Sequence, residues 1–315
     1  MRKWSVALLA VGAFLIVLAP MARFYAYPRL AVAPAAQDSK TTLVGPDATI
    51  FDIGSLKEIT TDLTTRVRTI GDVNAADKQG DNTVVWVSTS STRSSDGVMR
   101  SRDVERVAFD ATTAEAVNCC GEFISDEEGV ETPVKHEGLL VKFPFETQKK
   151  TYDFWDGSLR RAVPIKYEGT SKLDGLTVYR FAQTIEPTQV GEQDLPLSLL
   201  GLPGEETVTA QSMYSNVRTL WVEPVTGVII KRTEQQDNTF DYDGEPRITT
   251  TKVTTGYDDK TVQANIDDYS SLSTQLTLLR VTVPIIALIL GVLMLLGGLV
   301  LARRPEGPAG KRAGA

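Results

Sequence analysis

The sequence predicts a mainly β ectodomain, built of antiparallel hairpins around a barrel-like or sandwich-like core, flanked by N- and C-terminal transmembrane helices and with a C-terminal stalk helix. Three observations carry that expectation. Two charge-free stretches stand near the ends of the 315 residues, runs of β-branched and aromatic residues fill the middle, and the apolar period turns helical just before the second stretch.

The charge-free stretches run from Trp4 to Ala22 (19 residues) and from Val281 to Ala302 (22 residues). Each comes close to the roughly 20 residues a helix needs to cross a hydrocarbon core of about 30 Å. The remainder is roughly 36% apolar, ordinary for an aqueous domain and poor for one embedded in lipid. Of the net charge of −7, the short tails carry +2 before the first stretch and +3 after the second, which leaves −12 between them. Lys and Arg beside a membrane segment are retained on the cytoplasmic side, so both tails are expected inside and the acidic body outside. The predicted layout is a cytoplasmic tail (1–3), a transmembrane helix (4–22), an extracytoplasmic β-rich domain (23–257), a stalk helix (258–280), a transmembrane helix (281–302) and a second cytoplasmic tail (303–315). A cleaved signal peptide is the alternative for the first stretch, because Arg2, Lys3, the apolar run and Ala33 and Ala35 imitate one. Against cleavage, the run exceeds the usual apolar region of about 7–15 residues, and Pro34 spoils the best small-residue site.

After the first stretch, Phe24, Tyr25 and Tyr27 form an aromatic interface belt, and Pro28 to Ala36 reads as a short extended linker. Strands are expected over 83–88, 104–109, 139–143, 162–167, 176–181, 217–222 and 228–233. Asp174-Gly175 and Asp243-Gly244 are hairpin signals, and Pro224 with Gly227 suits a reversal. The segment 107–114 faintly echoes 220–227, each a strand, an acid and a Thr-containing turn, read as two similar hairpins and not as a repeat. Val262, Ile266, Tyr269, Leu272, Leu276, Leu279 and Val283 then fall on one helical stripe, with Asp258 and Asp259 at its positive end. That stripe could pack on the ectodomain, on the first helix region or on a partner, and Pro284 is expected to kink the junction.

Composition excludes several chemistries. One His rules out most Ser-His-Asp and multi-His zinc designs, two Cys cannot build a four-Cys zinc site or a disulfide-dense scaffold, and the acidic balance argues against nucleic acid. His136 lacks any catalytic context and is expected at the surface. Asp237 to Asp243 suggests a calcium loop, but Thr239 and Thr250 occupy the first and twelfth positions, so a hairpin turn explains it better. Glu127-Glu128 and Asp267-Asp268 single out no acid/base pair. No catalytic residue, metal ligand or cofactor is expected.

Three local features remain. The adjacent Cys119 and Cys120 could bridge each other, bridge another copy or stay as thiols; a vicinal bridge between Cα atoms about 3.8 Å apart needs a strained or cis peptide. Phe143, Phe145, Tyr152, Phe154 and Trp155 alternate with charge, as a core strand and its partner or as the lining of a lipid or sugar site. Leu195, Leu197, Leu199, Leu200 and Leu202 form an apolar run inside a polar loop, either exposed as a contact patch or tucked in.

The terminal helices, Lys142-Phe143-Pro144-Phe145 with Tyr152-Asp153-Phe154-Trp155-Asp156, the turn Asn118-Cys119-Cys120-Gly121 and the run 220–227 together resemble the actinobacterial PorA-labelled membrane family, long described as a domain of unknown function. That resemblance spans nearly the whole chain and implies an envelope protein, some of whose relatives are associated with envelope glycolipids. The layout is also similar to class B scavenger receptors, which implies lipid handling outside the membrane. The expected function is therefore a non-enzymatic two-pass envelope protein that binds, passes or scaffolds an amphiphilic lipid or glycolipid, with the aromatic segment and leucine loop as contact surfaces and envelope-biogenesis proteins as partners. A hydrolase using paired carboxylates and a pure membrane assembly partner are the alternatives.

Overall fold

The computed structural model describes residues 2–80, 82–127 and 129–303. Glu128 and the tail residues Arg304, Lys311 and Arg312 lie outside the described residues. Chain order is α1 (Arg2–Met21), a π-helical turn (Ala22–Ala26), α2 (Tyr27–Leu30), β1 (Asp38–Asp52), β2 (Lys57–Gly71), α3 (Val73–Gln79), β3 (Thr83–Ser94) and β4 (Met99–Asp110). There follow β5 (Phe123–Glu127), β6 (Val130–Pro133), β7 (Tyr152–Asp156), β8 (Arg161–Leu173), β9 (Leu176–Pro196), β10 (Thr207–Val222), β11 (Ile229–Tyr242) and β12 (Glu245–Tyr257). The chain ends in α4 (Asp259–Thr277), a second π-helical turn (Leu278–Thr282) and α5 (Val283–Arg303). Two compact units result, one from residues up to Val32 with those from Leu272 onward, the other Ala33–Ser271.

In the helical unit, α1 and α5 meet through small residues. A Cβ on Gly12 would come within 2.8 Å of the Gly291 carbonyl oxygen, one on Gly291 within 2.8 Å of Ile16, and one on Gly298 within 2.8 Å of Leu9. Ser5 Oγ donates to the Gly298 carbonyl at 2.8 Å. Close backbone approach over small residues, with a hydroxyl bond across it, is how helices associate where lipid removes the hydrophobic drive. Both helical runs, Lys3–Leu30 and Asp259–Arg303, are long and apolar enough to cross a membrane. The expected extended linker is corrected at its start: helix continues through Leu30, with Pro28 at the first turn of α2, where a missing N–H costs no bond. At Pro284 the chain stays helical, and the ladder is adjusted one turn earlier by the π-helical turn.

The second unit is a 12-stranded antiparallel sheet in the order β6-β5-β4-β3-β2-β1-β12-β11-β10-β9-β8-β7. Successive hairpins therefore run outward in both directions from the β1–β12 pair. Asp174-Gly175 and Asp243-Gly244 turn β8 into β9 and β11 into β12, all four residues at positive φ, as a two-residue hairpin turn of this kind demands. Residues 115–117 and 138–139 join the two halves. Val117 N–H donates to Ala108 on β4, Ala116 to Gly138, and Leu139 exchanges bonds of 2.8 Å with β7 at Asp153 and Trp155. The expected strand 139–143 is thus an irregular strap, with β-bridges at Leu139 and a bond from Phe143 N–H to the Gly227 carbonyl at its other end. The stalk begins as expected, with Asp258 accepting from Thr261 N–H at 2.8 Å. Val262, Ile266 and Tyr269 pack with Val178 and Ile230, and Asn265 donates to the Ile230 carbonyl at 3.1 Å.

Replacing Gly291 by Leu should overpack the α1–α5 contact at a cost of about 1–3 kcal/mol. Gly297 has open space around its Cβ position and serves as the control on the same helix. Thermal unfolding of the full chain in micelles should show G291L well below wild type and G297L close to it; equal midpoints would refute the close approach.

Candidate functional site

The β unit carries a half-open cavity of about 1070 Å3. Because side chains alternate across a strand, the residues that face it fall mostly at every second position along parts of β1 to β4, β11 and β12, as in Leu63, Thr65, Val67 and Thr69. Thr41, Thr65, Ser88, Ser90, Thr92 and Ser101 make a hydroxyl band, and Leu43, Ile50, Leu63 and Val253 an apolar stretch beside it. Thr65 pairs with Thr92 and Thr69 with Ser88, each at 2.9 Å across neighbouring strands. A hydroxyl can donate once and accept twice, so a paired wall still offers acceptors to a guest.

On the other side the cavity meets buried charge. Arg218 on β10 donates to Glu234, to Asp156 at 3.0 Å and to Gln183 at 2.7 Å. Its side chain is 6% exposed, those of Asp156 and Glu234 1% and 4%. Asp156 also accepts from Tyr214 at 3.0 Å, and Glu234 from Arg232 at 2.8 Å. Burial alone would raise the Glu234 carboxyl, but Arg232 and Arg218 outweigh it and hold it at about 2. These bonds satisfy both charges of a pair whose desolvation would otherwise cost several kcal/mol per ion.

His136 is fully buried, which corrects its expected place at the surface. Nδ1 lies 2.9 Å from Glu122 and Nε2 3.2 Å from Glu105, while the Trp155 indole donates to the same Glu105 oxygen at 2.9 Å. Burial works to lower its pKa, yet the hydrogen bonds and charges of Glu105 and Glu122 raise it to about 9. It is therefore a charged strut behind the cavity wall, holding Glu105 and, through it, Trp155.

The strap from Gly138 to Thr147 carries Lys142 and Phe143. Phe143 is fully buried, 4.5 Å from the Phe181 ring, 5.4 Å from Tyr152 and 5.6 Å from Phe154 between centroids. Phe154 and Trp155 line the cavity; Phe145, Tyr152 and Phe143 do not, and Phe145 lies 4.0 Å beneath the Lys142 ammonium. The five leucines stand apart from the cavity. Leu195 and Leu200 are buried with Ala210 and Ile248, Leu199 and Leu202 pack against them, and half-buried Leu197 approaches Gly204. The loop is thus tucked against its own hairpins. Cys119 and Cys120 join their sulfurs in a turn where Asn118, Cys120 and Gly121 all take positive φ. That turn packs beside Val85 and Ala108, and Arg106 holds it by donating to the Cys120 carbonyl at 2.9 Å.

Sequence reading missed the hydroxyl band, the Arg218 cluster and Lys142. The available signal was Ser or Thr at every second position, as in Ser88, Ser90 and Thr92, together with charges at the inward positions of otherwise apolar strands, as at Arg218.

The fold and cavity define a β-domain carried on a chain with two helices able to cross a membrane. The sequence model described as Porin PorA matches residues 4–300, and the chain belongs to that family. It is 31% identical over 123 residues to a Porin PorA of Corynebacterium amycolatum, covering 31% of this chain and 32% of that one. It is 27% identical over 241 residues to a Porin PorA of Corynebacterium resistens, covering 55% of this chain and 58% of that one. The chain spans about a third and somewhat over half of the length of these two relatives. Family and helices together make it a membrane protein.

With a folded pKa of about 9 above the ordinary 6.5, protonated His136 contributes stability that is complete below about pH 6.5 and lost as the pH rises through 9. Lys142 titrates in the opposite sense, so the comparison is with His136→Gln, which keeps a donor without the charge. Wild type should exceed the variant by about 2 kcal/mol at pH 6, allowing for screening on the open side of Glu105. Chemical denaturation should show the gap nearly closed by pH 9.5; a gap constant over this range would contradict the strut.

Proposed function

We propose that this chain is a non-enzymatic two-pass cell-envelope protein, both termini cytoplasmic, whose extracytoplasmic β-domain binds an amphiphilic lipid or glycolipid in its cavity and passes it on or presents it to the machinery that handles it. The single observation that carries this reading is the mixed wall of the cavity. Ser and Thr hydroxyls from four neighbouring strands face the same space as Leu43, Ile50, Leu63 and Val253. A site of a few hundred to about 1,000 Å3 with convergent polar groups and an apolar stretch suits a guest with one polar and one apolar part. The orientation rests on Arg2 and Lys3 before the first helix and Arg303 and Arg304 after the second.

The names of the two relatives suggest a second reading, conduction. A pore whose own strands face lipid is poorly supported, because the exposed positions of β1 to β4 include Lys40, Asp62, Arg66, Arg68, Arg93 and Arg102. Charges on a lipid-facing strand cost about 2–4 kcal/mol each at the midplane. The cavity and the helices therefore favour carriage outside the membrane.

The full chain in phosphatidylcholine nanodiscs is expected to retain co-purified lipid by native mass spectrometry and to bind a fluorescent fatty-acid probe that this lipid displaces. Ser90→Trp fills the middle of the wall and should weaken probe binding at least tenfold with the far-UV spectrum unchanged. Absence of both co-purified lipid and probe binding in wild type would sink the proposal, and steady ion conductance in planar bilayers would favour the pore.

A further inference from the structure

Among the described residues that line the cavity, most are buried or half-buried; the exposed ones are Ile53, Gly54, Val98, Met99, Ser101 and Gly157. They form its mouth, because they face the cavity and the solvent at once. All but Gly157 belong to two neighbouring hairpins, β1–β2 and β3–β4, and none of them is charged. Arg100 ties the two tips together, donating to Asp52 on one at 2.5 Å and to Asp96 on the other at 3.3 Å. The charges near the rim are thus engaged with each other, and large apolar side chains are left facing outward. Ile53 is 80% exposed, Leu56 on the same tip 55%, Val98 47% and Met99 41%.

Turns are ordinarily built from Gly, Pro, Asn, Asp and Ser. At the same end of the sheet the β11–β12 turn follows that rule with Asp243-Gly244, and those two residues do not line the cavity. Ile53 and Leu56 break it, and Leu56 does so at φ +55°, where a bulky side chain is unfavourable. Neither solubility nor turn geometry accounts for large apolar residues here, and a cluster of them in solvent marks a contact surface. The occupant follows from continuity with the cavity. Inward from the tips the wall continues with Phe51 and Ile50 on β1 and Leu63 on β2 before it reaches the hydroxyls of Thr65 and Thr69. We propose that the two tips are a lipid-contact rim. Ile53, Leu56, Val98 and Met99 enter the apolar layer of a lipid surface, and an amphiphile passes between that layer and the cavity with its chain kept out of water. The surface is a second one and not the bilayer that holds the helices. β1 is 15 residues long and extends about 45 Å from Asp38, where the chain arrives from the first helices, to its tip. The stalk leaves from that same starting end, where Asp258 N–H donates to the Thr42 carbonyl at 3.0 Å. This inference rests on the cavity reading and deepens it, since it names where the guest enters and from what.

The test mixes the full chain in phosphatidylcholine nanodiscs with sucrose-loaded phosphatidylcholine vesicles and sediments the vesicles. Discs carrying the chain should sediment and empty discs should not, and the binding should persist in about 0.5 M NaCl, because an uncharged rim offers no ion pair to screen. Ile53→Asp combined with Val98→Asp should weaken it about tenfold or more, since two apolar side chains lose their burial in lipid. Val190→Asp, at a comparably exposed position on β9 that does not line the cavity, should leave it unchanged. Cys119 and Cys120 are joined, so a thiol introduced by Ile53→Cys can be labelled alone with an environment-sensitive dye. Its emission should shift to the blue when vesicles are added, and that of a label at Val190→Cys should not. A shift already complete in the disc alone would put the rim in the bilayer of the helices and overturn the second surface. Equal sedimentation of wild type and the double variant would overturn the rim. So would failure to sediment while the fluorescent fatty-acid probe still binds, which makes the tips a protein contact and leaves the cavity reading standing. Failure of vesicles and probe alike overturns the cavity reading itself.

Discussion

The β-domain depends on one strap. Two sets of hairpins run outward from β1 and β12, and β4 of one set is joined to the edge strand β7 of the other by backbone bonds through residues 115–117 and 138–139. Beyond Leu139 the strap passes between two reversals. Phe143 N–H donates to Gly227 and Phe145 N–H to Thr112, then Glu146 to Val225 and Thr147 to Pro224. The fit around Gly227, at φ +74°, leaves no room for a side chain, since a Cβ there would fall 2.1 Å from the Phe143 carbonyl oxygen. Joining the two sets this way places hydrogen-bond partners along β4 and β7 on backbone that would otherwise be open to further pairing. Residues of both sets then line one half-open cavity.

The two reversals are built alike. After β4, Asp110 caps the N–H groups of Thr112 and Thr113; after β10, Glu223 caps those of Val225 and Thr226. The faint echo between 107–114 and 220–227 is therefore a shared turn chemistry, an acid folding its own next residues, used once in each half of the sheet. Shared mechanics need no duplicated ancestor: an acidic side chain bonding backbone two and three residues on is a recurrent local solution.

Much of the fold was legible because its signals are local. The end helices follow from missing charge, the hairpins from Asp-Gly pairs, and the stalk from an apolar stripe that the structure seats on Val178 and Ile230 through Ile266. β1, β2 and β12 escaped notice because about half of their inward residues are Thr or Ser, so the alternation in hydrophobicity is broken along each strand. Period-2 reasoning looks for an apolar face, and here the face that points inward borders a cavity instead of a dry core. His136 was misplaced for a related reason. Its partners Glu105 and Glu122 are 31 and 14 residues away, and no local pattern announces a charge-paired imidazole. The aromatic segment was noticed, yet only Phe154 and Trp155 reach the cavity, because Phe143 is used to wedge the strap against Phe181.

Charge placement separates what closes the domain from what lines it. Arg218 lies deep in the wall, but each of its three guanidinium nitrogens has a partner, and removing one partner would strand the others, so its cluster fixes the register of β10 against β11. Lys142 differs in kind. Closure is accomplished by backbone bonds on either side of it, and the two acids close enough to answer it serve turns instead. A methionine would fill the same volume with less desolvation, since large apolar side chains are what strap and Phe145 otherwise demand. What holds the amine there is the Phe145 face 4.0 Å away together with the charges of Asp110 and Glu223, which offset part of the cost of its burial.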